Sequence, residues 1–195
     1  MTDFRPYGTD EELDKLVDSE NYTVRLKVAE QGYGLDKLIN DEHWTVRMAV
    51  AEQGYGLDKL INDEDAEVRG EVAKRGYGLD ILVNDEYSNV RAEVASQGYG
   101  LDKLIDDEDE YVRCVVAYKG YGLDKLIYDV DWRVREAVAY QGYGLDKLIN
   151  DEDFEIREDV EEYLKDNRYK DIKDWKKKNP DKVYFKNSKE KGEER

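Results

Sequence analysis

Residues 54–76 read Gly54-Tyr55-Gly56-Leu57-Asp58-Lys59-Leu60-Ile61-Asn62-Asp63-Glu64-Asp65-Ala66-Glu67-Val68-Arg69-Gly70-Glu71-Val72-Ala73-Lys74-Arg75-Gly76, and the last glycine opens the same pattern again, 22 residues after the first. The triplet Gly-Tyr-Gly starts at Gly32, Gly54, Gly76, Gly98, Gly120 and Gly142. Val-Arg keeps the same spacing at Arg25, Arg47, Arg69, Arg91, Arg113 and Arg135, and Ile156-Arg157 makes a seventh copy. A fixed period of this length marks a repeat architecture. Positions held in every copy report what the fold needs, and positions that change are free for other work.

Each copy predicts two short helices. Leu35, Leu38 and Ile39 fall at i, i+3 and i+4, one face of a helix, and Val46, Val50 and Ala51 mark the buried side of a second. Three residues before the Val (or Ile) stand Asn21, Asp65, Asp109, Asp131 and Asp153, suited to N-capping that second helix, whereas His43 and Tyr87 break the pattern. The first glycine of each triplet fits a left-handed position just past a helix, and the second lets the chain turn tightly into the next copy. One copy cannot stand alone. Six apolar side chains at about 1.5–3 kcal/mol each do not offset about 1.5 kcal/mol of ordering entropy per residue. Neighbouring copies must stack and share a core.

The expected fold is therefore all-α: a right-handed α-solenoid (superhelix) of seven short two-helix repeats with a C-terminal capping helix. Thr9 and Glu12 form a Thr-x-x-Glu capping box ahead of Leu13. The seventh copy carries Glu161 in place of Ala and lacks the triplet, so its helix is expected to run on toward Lys178 and stop at Asn179-Pro180. The expected organisation is an N-terminal cap over 1–12, the repeats over 13–163, a capping helix over 164–180, and a charged tail over 181–195, expected to be disordered. Packed helices about 8–10 Å apart would make a rod of about 55–70 Å.

The segment Asp63 to Ala73 resembles the helix-forming half of HEAT-like repeats, and the short two-helix copy is similar to the leucine-rich repeat variant subclass. The resemblance spans Leu13 to Tyr163. It departs in a slightly shorter repeat and in Gly-Tyr-Gly where the subclass has a Pro-containing turn. One branch of that subclass holds an iron–sulfur cluster, which needs several cysteines, and Cys114 is the only one here. The resemblance thus implies the fold, a non-catalytic binding scaffold, and no cofactor.

The 195 residues include 48 acidic and 31 basic side chains, a net charge of −17. Residues 163–195 hold 12 basic and 7 acidic side chains, so residues 1–162 carry a net −22. Phosphate-backbone binding wants clustered Lys and Arg, which argues against nucleic-acid binding by the body of the chain. One His and one Cys cannot build a zinc site or a disulfide within the chain, and no EF-hand spacing occurs. No metal or cofactor is expected. The N-terminus lacks the apolar core of a signal peptide, and no apolar run approaches a membrane span, so a soluble, cytoplasmic chain without membrane contact is expected. Asp36 and Glu42 recur in nearly every copy, whereas catalysis needs one differentiated site. The chain is not expected to be an enzyme.

Two ladders run beside each other: the arginines from Arg25 to Arg157, and Asp41, Asp63, Asp85, Asp107, Asp129 and Asp151, with Ser19 in that place in the first copy. Each Arg is expected to make a bidentate pair with an Asp of its own or the next copy. The row Tyr33, Tyr55, Tyr77, Tyr99, Tyr121 and Tyr143 is expected to pack between repeats, and Cys114 to be a packing residue. The informative positions are the variable ones. Glu30, Glu52, Lys74, Ser96, Tyr118, Tyr140 and Glu162 share one place in the repeat, so Tyr118 and Tyr140 should lie side by side. Tyr111, Val115, Tyr128 and Trp132 lie in the same two copies.

Aromatic clusters mark interfaces. The candidate partner-binding residues are Tyr111, Tyr118, Tyr128, Trp132 and Tyr140; the competing reading is local repacking against the C-terminal helix or Trp175. The expected function is a non-enzymatic protein-binding scaffold or adaptor for a protein with a basic surface. Two alternatives stand beside it. One is a DNA-mimic inhibitor of a nucleic-acid-binding enzyme, since the body approaches one net charge per about 3 Å against about 3.4 Å for a single DNA strand. The other is nucleic-acid contact by the basic tail through Trp175 and Lys176-Lys177-Lys178.

Overall fold

Val28, Ala29, Gly32 and Tyr33 show how the chain turns. The Gly32 N–H donates to the Ala29 carbonyl at 2.8 Å and the Tyr33 N–H to that of Val28 at 3.2 Å. This is a Schellman corner, with Gly32 in the left-handed region at φ 72°. Gly34 follows at φ 62° and opens the next short helix. In this computed structural model, residues 9–165 are described, with side chains through 161.

Among them lie fourteen helices and no strand. Long and short ones alternate: α1 (Asp10–Leu16), α2 (Tyr22–Glu30), α3 (Leu35–Leu38), α4 (Trp44–Glu52), α5 (Leu57–Leu60), α6 (Ala66–Lys74), α7 (Leu79–Leu82), α8 (Ser88–Ser96), α9 (Leu101–Leu104), α10 (Glu110–Tyr118), α11 (Leu123–Leu126), α12 (Trp132–Tyr140), α13 (Leu145–Leu148) and α14 (Phe154–Lys165). None is long and apolar enough to cross a membrane.

The chain divides into two units, Met1–Leu104 and Ile105–Arg195. In the first, α1 packs on α2, α2 on α4, α4 on α6 and α6 on α8, while α3, α5 and α7 each touch the long helix before and after them. In the second, α10 packs on α12 and α12 on α14, with α11 and α13 filling the same intermediate role. Within each unit, helices pack neighbour on neighbour, as a helical repeat requires. The core is the repeated set the periodicity marks: Val46, Val50, Ala51 and Leu60 are at most 1% exposed, and so are their counterparts Val134, Val138 and Leu148.

The helix ends follow the local signals. Glu12 accepts the Thr9 N–H at 2.8 Å, completing the expected capping contact. Asn21, Asp65, Asp109, Asp131 and Asp153 each accept the backbone N–H two residues on, at 2.9–3.0 Å. His43, read as a break in that pattern, is a cap after all. Its Nδ1 lies 3.4 Å from the Thr45 N–H and 2.7 Å from Thr45 Oγ1, because an unprotonated imidazole nitrogen offers the lone pair a carboxylate would. Tyr87 makes no side-chain cap; the Arg69 guanidinium lies 5.4 Å over its ring instead.

The second glycine of each triplet does more than turn the chain. A Cβ on Gly56 would overlap Cδ1 of Ile39 from the preceding repeat. An alanine there would have to displace the methyl end of the Ile39 side chain. At the other end, α14 has 12 residues, reaching Lys165, where the preceding long helices have nine. The expected stop at Asn179-Pro180 and the expected tail fall outside the described residues.

Candidate functional site

The arginine ladder is spent on the fold. Arg47 Nε and Nη2 donate to Asp63 at 2.7 and 2.8 Å, and Nη1 donates to the Asp41 and Glu42 carbonyls of its own loop at 2.8 and 3.2 Å. Arg25–Asp41 and Arg69–Asp85 repeat this in the first unit, and Arg113–Asp129 and Arg135–Asp151 in the second. The sequence left open whether the Asp belongs to the same or the next repeat; in these five pairs it belongs to the next. Each Asp also accepts the backbone N–H two residues on, as Asp63 does from Asp65 at 3.0 Å. The hydrogen bond that the Arg135 guanidinium donates to Asp151 holds it above its ordinary pKa. No phosphate-binding row remains. Arg157 keeps only the inner half of the arrangement: Nη1 donates to the Asp151 and Glu152 carbonyls, and no carboxylate among the described residues meets its outer edge.

The tyrosine row packs less deeply than expected. Tyr55, Tyr77 and Tyr99 in the first unit, and Tyr121 and Tyr143 in the second, are each 41–43% exposed. The repeat corner holds the ring at the surface edge. Tyr33 donates its hydroxyl to Asp14 at 2.5 Å.

The variable aromatics separate into distinct settings. Tyr118, at the end of α10, and Tyr140, at the end of α12, meet edge to face with centroids 5.8 Å apart and planes at 75°. They remain 50% and 69% exposed. Tyr111 is also exposed and precedes Tyr118 by seven residues, placing it on the same face of α10. Trp132 is half-buried and lies under Arg133 at 5.1 Å. Tyr128 lies under Lys147, 3.3 Å from the ring centroid, beside Asp124, Tyr143 and Asp146. That contact repeats a structural one: Lys59, Lys103 and Lys125 reach Asn40, Asn84 and Asp106 at the same place in other repeats. A ring has replaced an amide. Tyr128 and Trp132 thus already hold cations of the chain itself, whereas Tyr118 and Tyr140 face each other.

Two features escaped the sequence reading. Glu136 stands where other repeats have Leu26, Met48, Gly70, Ala92 and Cys114, and that change of character was the available signal. Burial, a hydrogen bond with Asp159 and the charges of Asp159, Glu155 and Asp153 push its carboxyl above the ordinary range. Burial and the neighbouring Glu136 in turn raise the Tyr118 hydroxyl. In the first unit, Tyr22 and His43 stack at 3.7 Å with planes 2° apart, and Trp44 lies 6.2 Å from His43. Tyr22 and Trp44 share one repeat position, which was visible in the sequence.

Cys114 is buried, as a packing residue should be; desolvation, with the nearby Asp131 and Asp129 charges, pushes its thiol up to about 12. Among the described residues no group of three His, Cys, Asp or Glu could hold a metal ion. No family model matches the chain, and no curated protein matches its sequence.

Proposed function

We propose that the chain is a right-handed α-solenoid of seven two-helix repeats, of the HEAT-like and leucine-rich-repeat-variant kind, acting as a non-enzymatic scaffold that binds a protein with a basic surface. One observation carries this reading: Tyr118 and Tyr140 form an exposed edge-to-face pair on repeats whose other copies place Glu, Lys or Ser there. Tyr is enriched at the energetic centres of protein interfaces. The net −22 of residues 1–162 would steer a basic partner toward that surface and make association fall steeply with salt. Of the five candidate residues, Tyr111, Tyr118 and Tyr140 form the working face; Tyr128 and Trp132 are engaged with the chain's own cations.

The test is capture of a partner by the immobilised chain, its identification, and direct binding of the purified partner. Tyr118→Ala/Tyr140→Ala is expected to lose that partner while keeping the far-ultraviolet dichroism of the parent. Unchanged affinity of the purified partner for the double variant would overturn the assignment of the face. Competition of the partner by duplex DNA would identify the acidic surface as a DNA mimic.

A further inference from the structure

We infer that the face formed by Tyr118, Tyr140, Glu136 and Asp159 takes an arginine side chain from a basic protein segment. This rests on the protein-binding reading above and names the chemistry of its central contact.

Three elements of the second unit converge there. Tyr118 ends α10 and Tyr140 ends α12, with centroids 5.8 Å apart. Glu136 precedes Tyr140 by four residues, which places both side chains on one face of α12. Asp159 reaches Glu136 from α14, where Glu155 adds charge of the same sign. Among the described residues, no cation lies between these two carboxyl groups and the open rings.

Five of the unit's described cations are committed elsewhere. Arg113 and Arg135 are locked to Asp129 and Asp151. Lys125 pairs with Asp106, Lys147 lies over Tyr128, and Arg133 lies over Trp132 with Glu110 and Asp131 beside it. In the first unit the corresponding surface is self-satisfied: Lys74 stands at the Tyr118 position and pairs with Glu71 and Glu93.

Guanidinium fits it better than ammonium. It is flat and weakly hydrated, so it stacks on a ring while its fork of donors reaches a carboxylate. The fold already uses both halves of that contact, Arg69 over Tyr87 and five arginines forked onto aspartates. Seven residues of helix put Tyr111 about 10 Å from Tyr118 along the same face, with half-buried Val115 between them. That strip receives the apolar flank of a segment, which a free small cation would not use.

The experiment is titration of the full chain with a labelled hexa-arginine peptide, and with hexa-lysine, at about 0.15 M salt, where exposed charges further apart than about 8 Å are screened. Hexa-arginine is expected to bind more tightly than hexa-lysine. Tyr118→Ala/Tyr140→Ala and Glu136→Gln/Asp159→Asn should each weaken it about tenfold, and Tyr118→Phe/Tyr140→Phe, which keeps the rings and the packing, should bind nearly as the parent does. Equal binding of the two peptides, or hexa-arginine binding unchanged in both double variants, overturns the inference. If hexa-arginine fails to bind while Tyr118→Ala/Tyr140→Ala still loses the captured protein, the arginine contact falls and the scaffold reading stands. If the captured protein is also retained, both fall.

Discussion

Arg135 and Asp151, sixteen residues apart in the chain, meet through two parallel hydrogen bonds of 2.8 Å. Both side chains are 8% exposed. The same guanidinium reaches back to the Asp129 and Val130 carbonyls at 2.8 and 3.2 Å, and the same carboxylate accepts the Asp153 N–H at 2.9 Å. One ion pair thereby joins the loop before one long helix to the loop before the next. Repeats that share only nearest-neighbour contacts depend on such joints.

Removing one partner of this pair leaves a buried charge uncompensated. Arg135→Ala or Asp151→Ala is expected to cost about 3–5 kcal/mol, read as a lowered urea midpoint. Arg157→Ala, with no carboxylate on the outer edge of that guanidinium among the described residues, should cost about 1 kcal/mol. Equal losses at Arg135 and Arg157 would show that the paired edge contributes nothing.

The aspartates of the ladder make stability depend on acid. Burial alone would raise the carboxyls of Asp41, Asp85, Asp129 and Asp151. The guanidinium hydrogen bond, the backbone N–H two residues on and the Arg charge outweigh it and hold each below the ordinary value. The folded chain therefore binds fewer protons there than the unfolded one. This contribution is present in full above the unfolded pKa of about 3.9 and is lost as pH falls through the folded values. Urea midpoints should drop below about pH 4, and Asp151→Asn should flatten that drop. An unchanged slope in the variant would refute the linkage.

Three glycines separate backbone conformation from space. Gly56→Ala meets both a positive φ and Ile39, and is expected to cost about 2–4 kcal/mol. Gly54→Ala meets the positive φ with open space around it and should cost about 1–2 kcal/mol. Gly70 is inside α6 with nothing within 4 Å of a new Cβ, so Gly70→Ala should stabilise by about 0.5–1 kcal/mol. Thermal melts of the three variants give the order; any other order contradicts the geometry.

The Cys114 thiol, buried and pushed up to about 12, is protonated at neutral pH and a poor nucleophile. Iodoacetamide should label the native chain far more slowly than the urea-unfolded chain. Comparable rates would show that the site opens readily.

Much of this was legible in residue order. The period shows in Gly32, Gly54 and their successors, and the caps in Asn21, Asp65 and Thr9, because capping and helical spacing act over two to four residues. His43 was misread because a cap is recognised by residue type, while the hydrogen bond needs only a lone pair correctly placed. The tyrosine row was expected to pack more deeply than it does, since a repeated aromatic looks alike whether covered or at an edge. Glu136 carried a visible change of character, yet its partner Asp159 lies on another helix.

Residue order by itself determined the all-helical composition, the alternation of long and short helices, and the charge of each segment, since these follow from local propensity, spacing and counting. The tertiary structure alone decided that the paired aspartates belong to the next repeat, that Tyr128 and Trp132 hold cations of the chain, and that Tyr118 and Tyr140, expected side by side, meet edge to face with Glu136 beside Tyr118. Those relations depend on how one repeat is rotated and shifted on its neighbour. Spacing along the chain repeats contacts such as Ile39 beside Gly56, but it does not encode that rotation and shift.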